Sequence, residues 1–442
     1  MKKFREWMTG SGRPFIPAKQ RAKRELVRIW RLPRGSNTLP LRVRYLTMAV
    51  VVVMALGMVV HYFVTERGGQ FGNGKSDAAM VPRPMETTVI GGDSIQAAEA
   101  PETDLDKQDG KVSKKQQETT GQSGQGKETI HLGFAGDICL DDTCAVMRHM
   151  KKKGSLSKVI SPKLIKKMNS YDSMVINNEF SISNHGKPMK GKAYTFRSSP
   201  DNIKYLRQLG IDVAGLANNH IYDFGKRAFL DTISNLKNAG IKTVGAGKNA
   251  EEAKKPVYLK LKEKTVAIVA ATRAEKYILT PEAGKNSPGV FRTYDSAQYV
   301  KAIKKAKKKA DYVIAYVHWG TEYSTELEKA QLRQGKEYIN AGADAVIGAH
   351  THCLQGVGYY KGAPIIYSLG NFWFNEKTLY TTVLEIDITK DGALKARMLP
   401  CLQKGKETKL LVEASKKKKF VSYVNKISTN ARLNKNGWIT KK

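Results

Sequence analysis

From Thr129 onward the chain alternates short apolar runs with amphipathic segments. "IHLGFAGDI", "DSMVINNEF", "IDVAGLAN", "IKTVGAG", "TVAIVAAT", "DYVIAYVHWG", "ADAVIGAH" and "GAPIIYSLGNF" read as strands. "SPKLIKKMN", "DNIKYLRQLG", "GKRAFLDTISNLKNAG", "DSAQYVKAIKKAKKKA" and "EKAQLRQGKEYINAG" carry helical periodicity between them. Near-continuous apolar strands spaced by helices predict an α/β fold built of βα units, with strands buried on both faces. "TTVLEIDITKDGALKARMLP" alternates strictly and turns at Asp391-Gly392, which predicts a hairpin. The expected domain spans 129–405. The segment 406–442, with its "SKKKKFVSYVNKIS", is expected to be a basic helical tail whose lysines form a solvated face.

Upstream the pattern changes twice. Tyr45 to Val64 is a run of 20 residues without a charge, the length that crosses a bilayer's hydrocarbon core. Residues 1–44 before it carry 13 Lys/Arg against Glu6 and Glu25. A cleaved signal peptide would have a shorter leader, a shorter apolar run and a small-residue cleavage site, so an uncleaved anchor is expected. Its basic flank holds the N-terminus in the cytoplasm and directs the rest outside. The expectation is a single-pass cell-membrane protein. Residues 65–128 are rich in Gly, Ser, Gln, Thr and charge, which predicts a flexible linker.

Composition narrows the partner class. The 442 residues are 41% hydrophobic, sufficient for a sizeable core, yet the formal net charge is +35. Such an excess suits nucleic acid, an anionic membrane surface or an acidic polymer. An extracytoplasmic location removes most of the force of the first, so no nucleic-acid partner is expected. Four cysteines, Cys139, Cys144, Cys353 and Cys401, are too few for a disulfide framework, although the location permits one bridge.

The chemistry-bearing residues share one placement. Asp137 ends "FAGD", Glu179 ends "INNE", Asn219 and His220 follow "GLA", His318 follows "AYV", and His350 and His352 follow "VIGA". Each follows an apolar run, and strand C-termini line the ligand crevice in open α/β sheets. If strand geometry persists through "GAHTH", alternation points His350 and His352 to one side, as a metal site requires. Singly, each residue has a turn, cap or packing explanation. Jointly those explanations are weaker, because four of eight histidines fall in three strand-end motifs.

"GDICL", "NNEF", "LANNHIYDFG", "VHWGTEY", "GAHTH" and "IIYSLGNFWF" together resemble the CapA family of membrane-anchored poly-γ-glutamate capsule biosynthesis proteins, over about Ile130 to Asn375. That family is similar to calcineurin-like metallophosphoesterases, and the resemblance implies a metallophosphoesterase-like four-layer α/β/β/α sandwich, here preceded by one transmembrane helix. It implies that Asp137 binds one divalent metal (Mn, Zn, Fe or Mg) and that Glu179 bridges. Asn219, His318 and His350 would hold a second ion, with His352 returning to the first. His220 would act as general acid or charge stabiliser, with Asp223 orienting it. Asn177, Glu322 and Asn371 are further pocket positions.

The phosphoesterase D-x-H motif departs here to "DIC". Cys139 is then either a substitute ligand or an inert buried or disulfide-bonded cysteine. The departure implies one tight ion and a second, weaker one. The function implied is assistance to poly-γ-glutamate synthesis or export, with the polyanionic polymer, capsule synthase membrane subunits and the membrane as partners. An active metal-dependent hydrolase of a phosphoester or of the polymer's amide bonds is one alternative. A non-enzymatic assembly module with a vestigial site is the other.

Overall fold

Strand β1, Ile130–Ile138, is buried along almost its whole length, and it lies at the centre of a sheet with parallel neighbours β2 (Ser173–Asn178), β3 (Val213–Gly215) and β4 (Lys242–Val244). A second sheet of six strands contains β5 (Val257–Leu261), β6 (Lys264–Thr272), β7 (Tyr312–His318), β8 (Ala345–Ala349), β9 (Val357–Tyr360) and β10 (Ala363–Ile366). Its central β6, β7, β8 and β10 run parallel. β11 (Asn371–Trp373) pairs with the end of β1, and β12 (Leu379–Ile388), β13 (Leu394–Lys404) and β14 (Glu407–Leu410) extend the first sheet antiparallel. The expected hairpin at Asp391-Gly392 is the β12–β13 connection, with Gly392 at φ 86°. This computed structural model describes residues 129–275 and 279–442.

The apolar runs are continuous because each sheet is covered twice. Leu132, Phe134, Val175 and Val213 of the first sheet pack against Ile268, Ala270, Ile314 and Ile347 of the second. On its other face the first sheet buries Met174, Ile176 and Ala214 under helices α1 (Ala145–Lys153), α2 (Pro162–Met168), α3 (Ile203–Gln208) and α4 (Gly225–Asn238). The second sheet's outer face carries α5 (Ala297–Lys307) and α6 (Lys329–Asn340), whose Tyr299, Ile303 and Tyr338 cover Val269, Ala315, Val317 and Val346. The cores thus run helix, sheet, sheet, helix. Period-two alternation sends successive residues to opposite cores, as with Phe134 and Ala135.

Two expectations need revision or relocation. The boundary placed at 405 falls inside a strand pair, Lys404 opposite Glu407. Beyond it, helix α7 (Ala414–Ile427) sends Phe420 and Val424 into the core between the sheets, joined by Leu433 and Ile439. Residues 406–442 are therefore an integral part of the fold and no detached tail. The lysine run hid this, because only two of the helix's apolar residues, Phe420 and Val424 at i and i+4, are fully buried. The leader at 1–44, the span Tyr45 to Val64 and the linker at 65–128 lie outside the described residues. Among the described residues no helix is long and apolar enough to cross a membrane.

Candidate metal centre

The parallel strands of both sheets deliver their C-terminal ends to one place. Asp137 sits near the end of β1, Glu179 directly follows β2, Asn219 and His220 lie in the loop after β3, His318 closes β7, and His350 and His352 follow β8. All seven are buried. Oxygen and nitrogen atoms of Glu179, His318 and His350 lie within 4.8 Å of one another, and so do those of Asp137, Glu179 and His352. Glu179 belongs to both groups. Asn219 Oδ1 lies 2.8 Å from His318 Nε2, adding an oxygen to the first group.

The pair His350 and His352 arrives differently from the strand reading. β8 stops at Ala349, and the backbone then turns through positive φ at both histidines, 97° and 55°. Non-glycine residues adopt that region rarely and at a cost, which surrounding packing must offset. The turn brings the two rings to 6.3 Å between centroids. Close backbone approach places Asp137. Its N–H donates to the Gly370 carbonyl at 2.9 Å, and a Cβ at Gly136 would meet that oxygen at 1.8 Å, so only glycine fits.

Asn177 ties the acids together. Its Nδ2 donates to Asp137 Oδ1 at 2.8 Å and Glu179 Oε2 at 3.0 Å, while its own Oδ1 accepts from Asn218 at 3.1 Å. Asn371 Oδ1 meets His352 Nδ1 at 2.8 Å, the kind of outer contact that fixes an imidazole's orientation. Glu322 stands exposed at the rim, where its charge reaches Glu179 and His352.

What remains unpaired points to a cation. Asp137 Oδ2, Glu179 Oε1 and His350 Nδ1 are buried without a hydrogen-bond partner. The nearest imidazole nitrogens to the two carboxylate atoms stand at 3.5 and 3.6 Å, beyond a good hydrogen bond. Burial, then the charge of Asp137, holds the Glu179 carboxyl well above its ordinary value. Burial and the neighbouring histidines push His318 well down and His350 down to about 3. His352 is the exception: burial opposes its cation, but contact with Asp137 outweighs this and raises it. The neutral imidazoles of His318 and His350 beside converging carboxylates fit a divalent ion by charge and by donor type.

Cys139 stands apart from this cluster. Its thiol is buried in the core under the helices, 3.7 Å from Cys144 Sγ, and burial followed by Cys144 pushes its pKa well up. A protonated thiol in that place is no ligand, and all four cysteines are free. The register of β1 against β11 shifts between Asp137 and Ile138, so simple alternation does not carry from Asp137 to Cys139.

His220 Nδ1 donates to Asp223 Oδ2, 2.7 Å away, and its ring lies 4.6 Å from that of Phe196. The sequence reading missed what holds Asp223. Lys192, 3% exposed, reaches Asp223 Oδ1 at 2.7 Å, Glu275 at 3.0 Å and the Asn219 carbonyl. Nothing in the local pattern of "GKPMKGKAYTF" marks that lysine, whose partners are 27 or more residues away.

The family profile described as "Bacterial capsule synthesis protein PGA_cap" matches residues 131–376, which include every residue of the cluster. The chain belongs to this family. The PGA biosynthesis protein CapA of Bacillus subtilis (strain 168) is 28% identical over 277 residues, covering 62% of this chain and 71% of that protein. The capsule biosynthesis protein CapA of Bacillus anthracis is 34% identical over 207 residues, covering 45% of this chain and 50% of that one, so the match spans half of that relative's length. Among solved structures, a phosphatase from Mycoplasma pneumoniae is 12% identical with a TM-score of 0.40, over 63% of this chain and 95% of that one.

Proposed function

We propose that this protein assists synthesis or export of a poly-γ-glutamate capsule, as a membrane-anchored, extracytoplasmic factor with a divalent-cation pocket. The observation that carries the reading is a capsule-synthesis family match that encloses the buried carboxylate and histidine cluster. Tyr45 to Val64 would anchor the chain beside capsule synthase membrane subunits, with 65–128 as the tether. Glu179, His318, His350 and Asn219 would hold the tighter ion with four donor groups. Asp137, Glu179 and His352 offer three and would hold a weaker one.

A second reading, a metal-dependent hydrolase, is favoured by one feature: the His220–Asp223 pair at the edge of the same pocket. A bound divalent ion would supply positive charge to polarise a phosphoryl or acyl oxygen. With Nδ1 engaged by Asp223, His220 keeps Nε2 free to protonate a leaving group. Lys192 holds Asp223 in position, and Phe196 limits the imidazole's rotation.

Complementation of a gene deletion in native cells tests both. The deletion should lose polymer, and the parent gene should restore it. Removing a positioned general acid typically costs about 10²- to 10⁴-fold in rate. If His220→Ala, at parent expression, still restores polymer while loss of Tyr45 to Val64 does not, the assembly reading stands. If His220→Ala yields no polymer, hydrolysis takes first place. Polymer output unchanged by the gene deletion would refute both.

A further inference from the structure

The lysines of α7 are not scattered. Ser415, Lys418, Lys419, Ser422, Tyr423 and Lys426 fall at i, i+3, i+4, i+7, i+8 and i+11, one stripe of the helix, and with Tyr380 they line an open groove of about 610 Å³. No acid lines it. Among the described residues Lys418, Lys419 and Lys426 form no ion pair, whereas Lys416 is engaged by Glu413. Lys418 and Lys426 stand about 12 Å apart along the axis at 1.5 Å per residue. The floor is aromatic: the rings of Tyr380 and Tyr423 lie 5.2 Å apart.

The stripe leads toward the pocket. Lys377 precedes Tyr380 by three residues, at most about 11 Å of chain. Its Nζ lies 3.5 Å from the centroid of the Tyr323 ring, which in turn stands 5.5 Å from the His352 ring. Positive charge and aromatic surface therefore continue from α7 past Tyr380 and Lys377 to the mouth of the carboxylate and histidine cluster. A second lysine-lined groove, of about 550 Å³ beside α5, has Lys254, Lys255, Lys301, Lys305 and Lys309 but also Glu251 and Glu252, and it lies on the outer helix layer.

We propose that the Lys418–Lys419–Lys426 stripe, continued by Lys377, is the docking track for an extended carboxylate polymer, poly-γ-glutamate, guiding it to the cation pocket. The proposal rests on the capsule reading above and adds the place of contact. Unpaired, acid-free lysines at helical spacing present several weak attractions to a flexible polyanion, and their sum is salt-sensitive. A lipid surface would need only the positive charge. A groove continuing to a buried pocket suits a chain.

The test uses the full-length protein and purified poly-γ-glutamate, with affinity measured at about 0.15 M salt. Lys418→Glu/Lys419→Glu/Lys426→Glu should weaken binding at least tenfold, and Lys418→Gln/Lys419→Gln/Lys426→Gln by a smaller factor. Lys254→Glu/Lys301→Glu/Lys305→Glu, with the same change in net charge, should weaken it less than threefold. All these lysines are exposed or at the surface, so melting temperatures should match the parent's. Equal losses in both charge-reversed variants would show an effect of net charge only and overturn the track. So would loss of binding to phosphatidylglycerol vesicles with polymer binding intact. A parent that binds polymer while the α7 variants bind equally well sinks the track alone. A parent that binds no polymer at low salt sinks the capsule reading with it.

Discussion

Replacing Glu179 with glutamine should stabilise the chelated protein and abolish its response to cations. Glu179 is buried, its Oε1 lacks a hydrogen bond, and burial followed by the Asp137 charge holds its carboxyl well above the ordinary 4.5. A buried polar group left unsatisfied costs about 1–3 kcal/mol. An amide of the same shape keeps the unmet hydrogen bond but carries no charge to desolvate or to repel Asp137. A charged group costs more than a neutral one, so relief of that order is expected from the charge alone. At about 2 °C per kcal/mol for a domain of this size, the chelated variant should melt about 2–6 °C above the parent. Cation binding acts in the opposite direction. An ion at 1,000 times its Kd stabilises a one-site protein by about 4.1 kcal/mol, more than the whole range of that relief. Glu179 belongs to both donor groups, so the variant should gain almost none of this. The order of melting temperatures should reverse on adding Mn²⁺ or Zn²⁺, followed by thermal melts of exhaustively chelated samples.

The pH dependence supplies a sign. The unfolded carboxyl releases its proton near 4.5, whereas the folded one retains it to higher pH. The parent's penalty is therefore absent below 4.5 and grows as pH rises above it, so the variant's advantage should vanish at pH 4. A variant that melts below the parent with and without cation, or that responds to cation as the parent does, would refute the reasoning. Glu179 would then be a satisfied structural acid.

Two further predictions follow from neighbouring contacts. Cys139→Ser should leave cation affinity within about twofold, whereas His350→Ala should lower it at least tenfold, since even outer contacts of a metal site are worth about 10–100-fold; calorimetry decides, and equal losses would return Cys139 to the site. Glu385 is 2% exposed and contacts Lys167 at 2.7 Å, Arg397 at 2.5 Å and Tyr171 at 3.2 Å. Burial raises its pKa, but Lys167 and Arg397 more than offset that and hold it below 4.5. Glu385→Gln should therefore cost about 1–2 kcal/mol in urea unfolding at pH 7, discounted because both cations are partly exposed. The loss should shrink as pH falls through the lowered folded value, and a deficit independent of pH would contradict the ion-pair account.

The strands and the candidate residues were legible because their signals are local. Burial on both faces writes an unbroken apolar run, and a polar residue after such a run marks a strand's crevice end whatever its neighbours are. The hairpin at Asp391-Gly392 was legible for the same reason, since alternation and turn chemistry sit in adjacent residues. Three other features depend on distant segments. Where β8 stops is set by its pairing, so His350 and His352 converge through left-handed backbone and not by strand alternation. Whether Cys139 reaches the cluster is decided where the register of β1 against β11 shifts between Asp137 and Ile138, and the thiol lies under the helices. Lys192 meets Asp223 and Glu275 only after the loops that carry them have been folded over the sheet ends. Local pattern determined which residues bear the chemistry; strand pairing and buried charge, which act between segments far apart in sequence, decided which of them face one another.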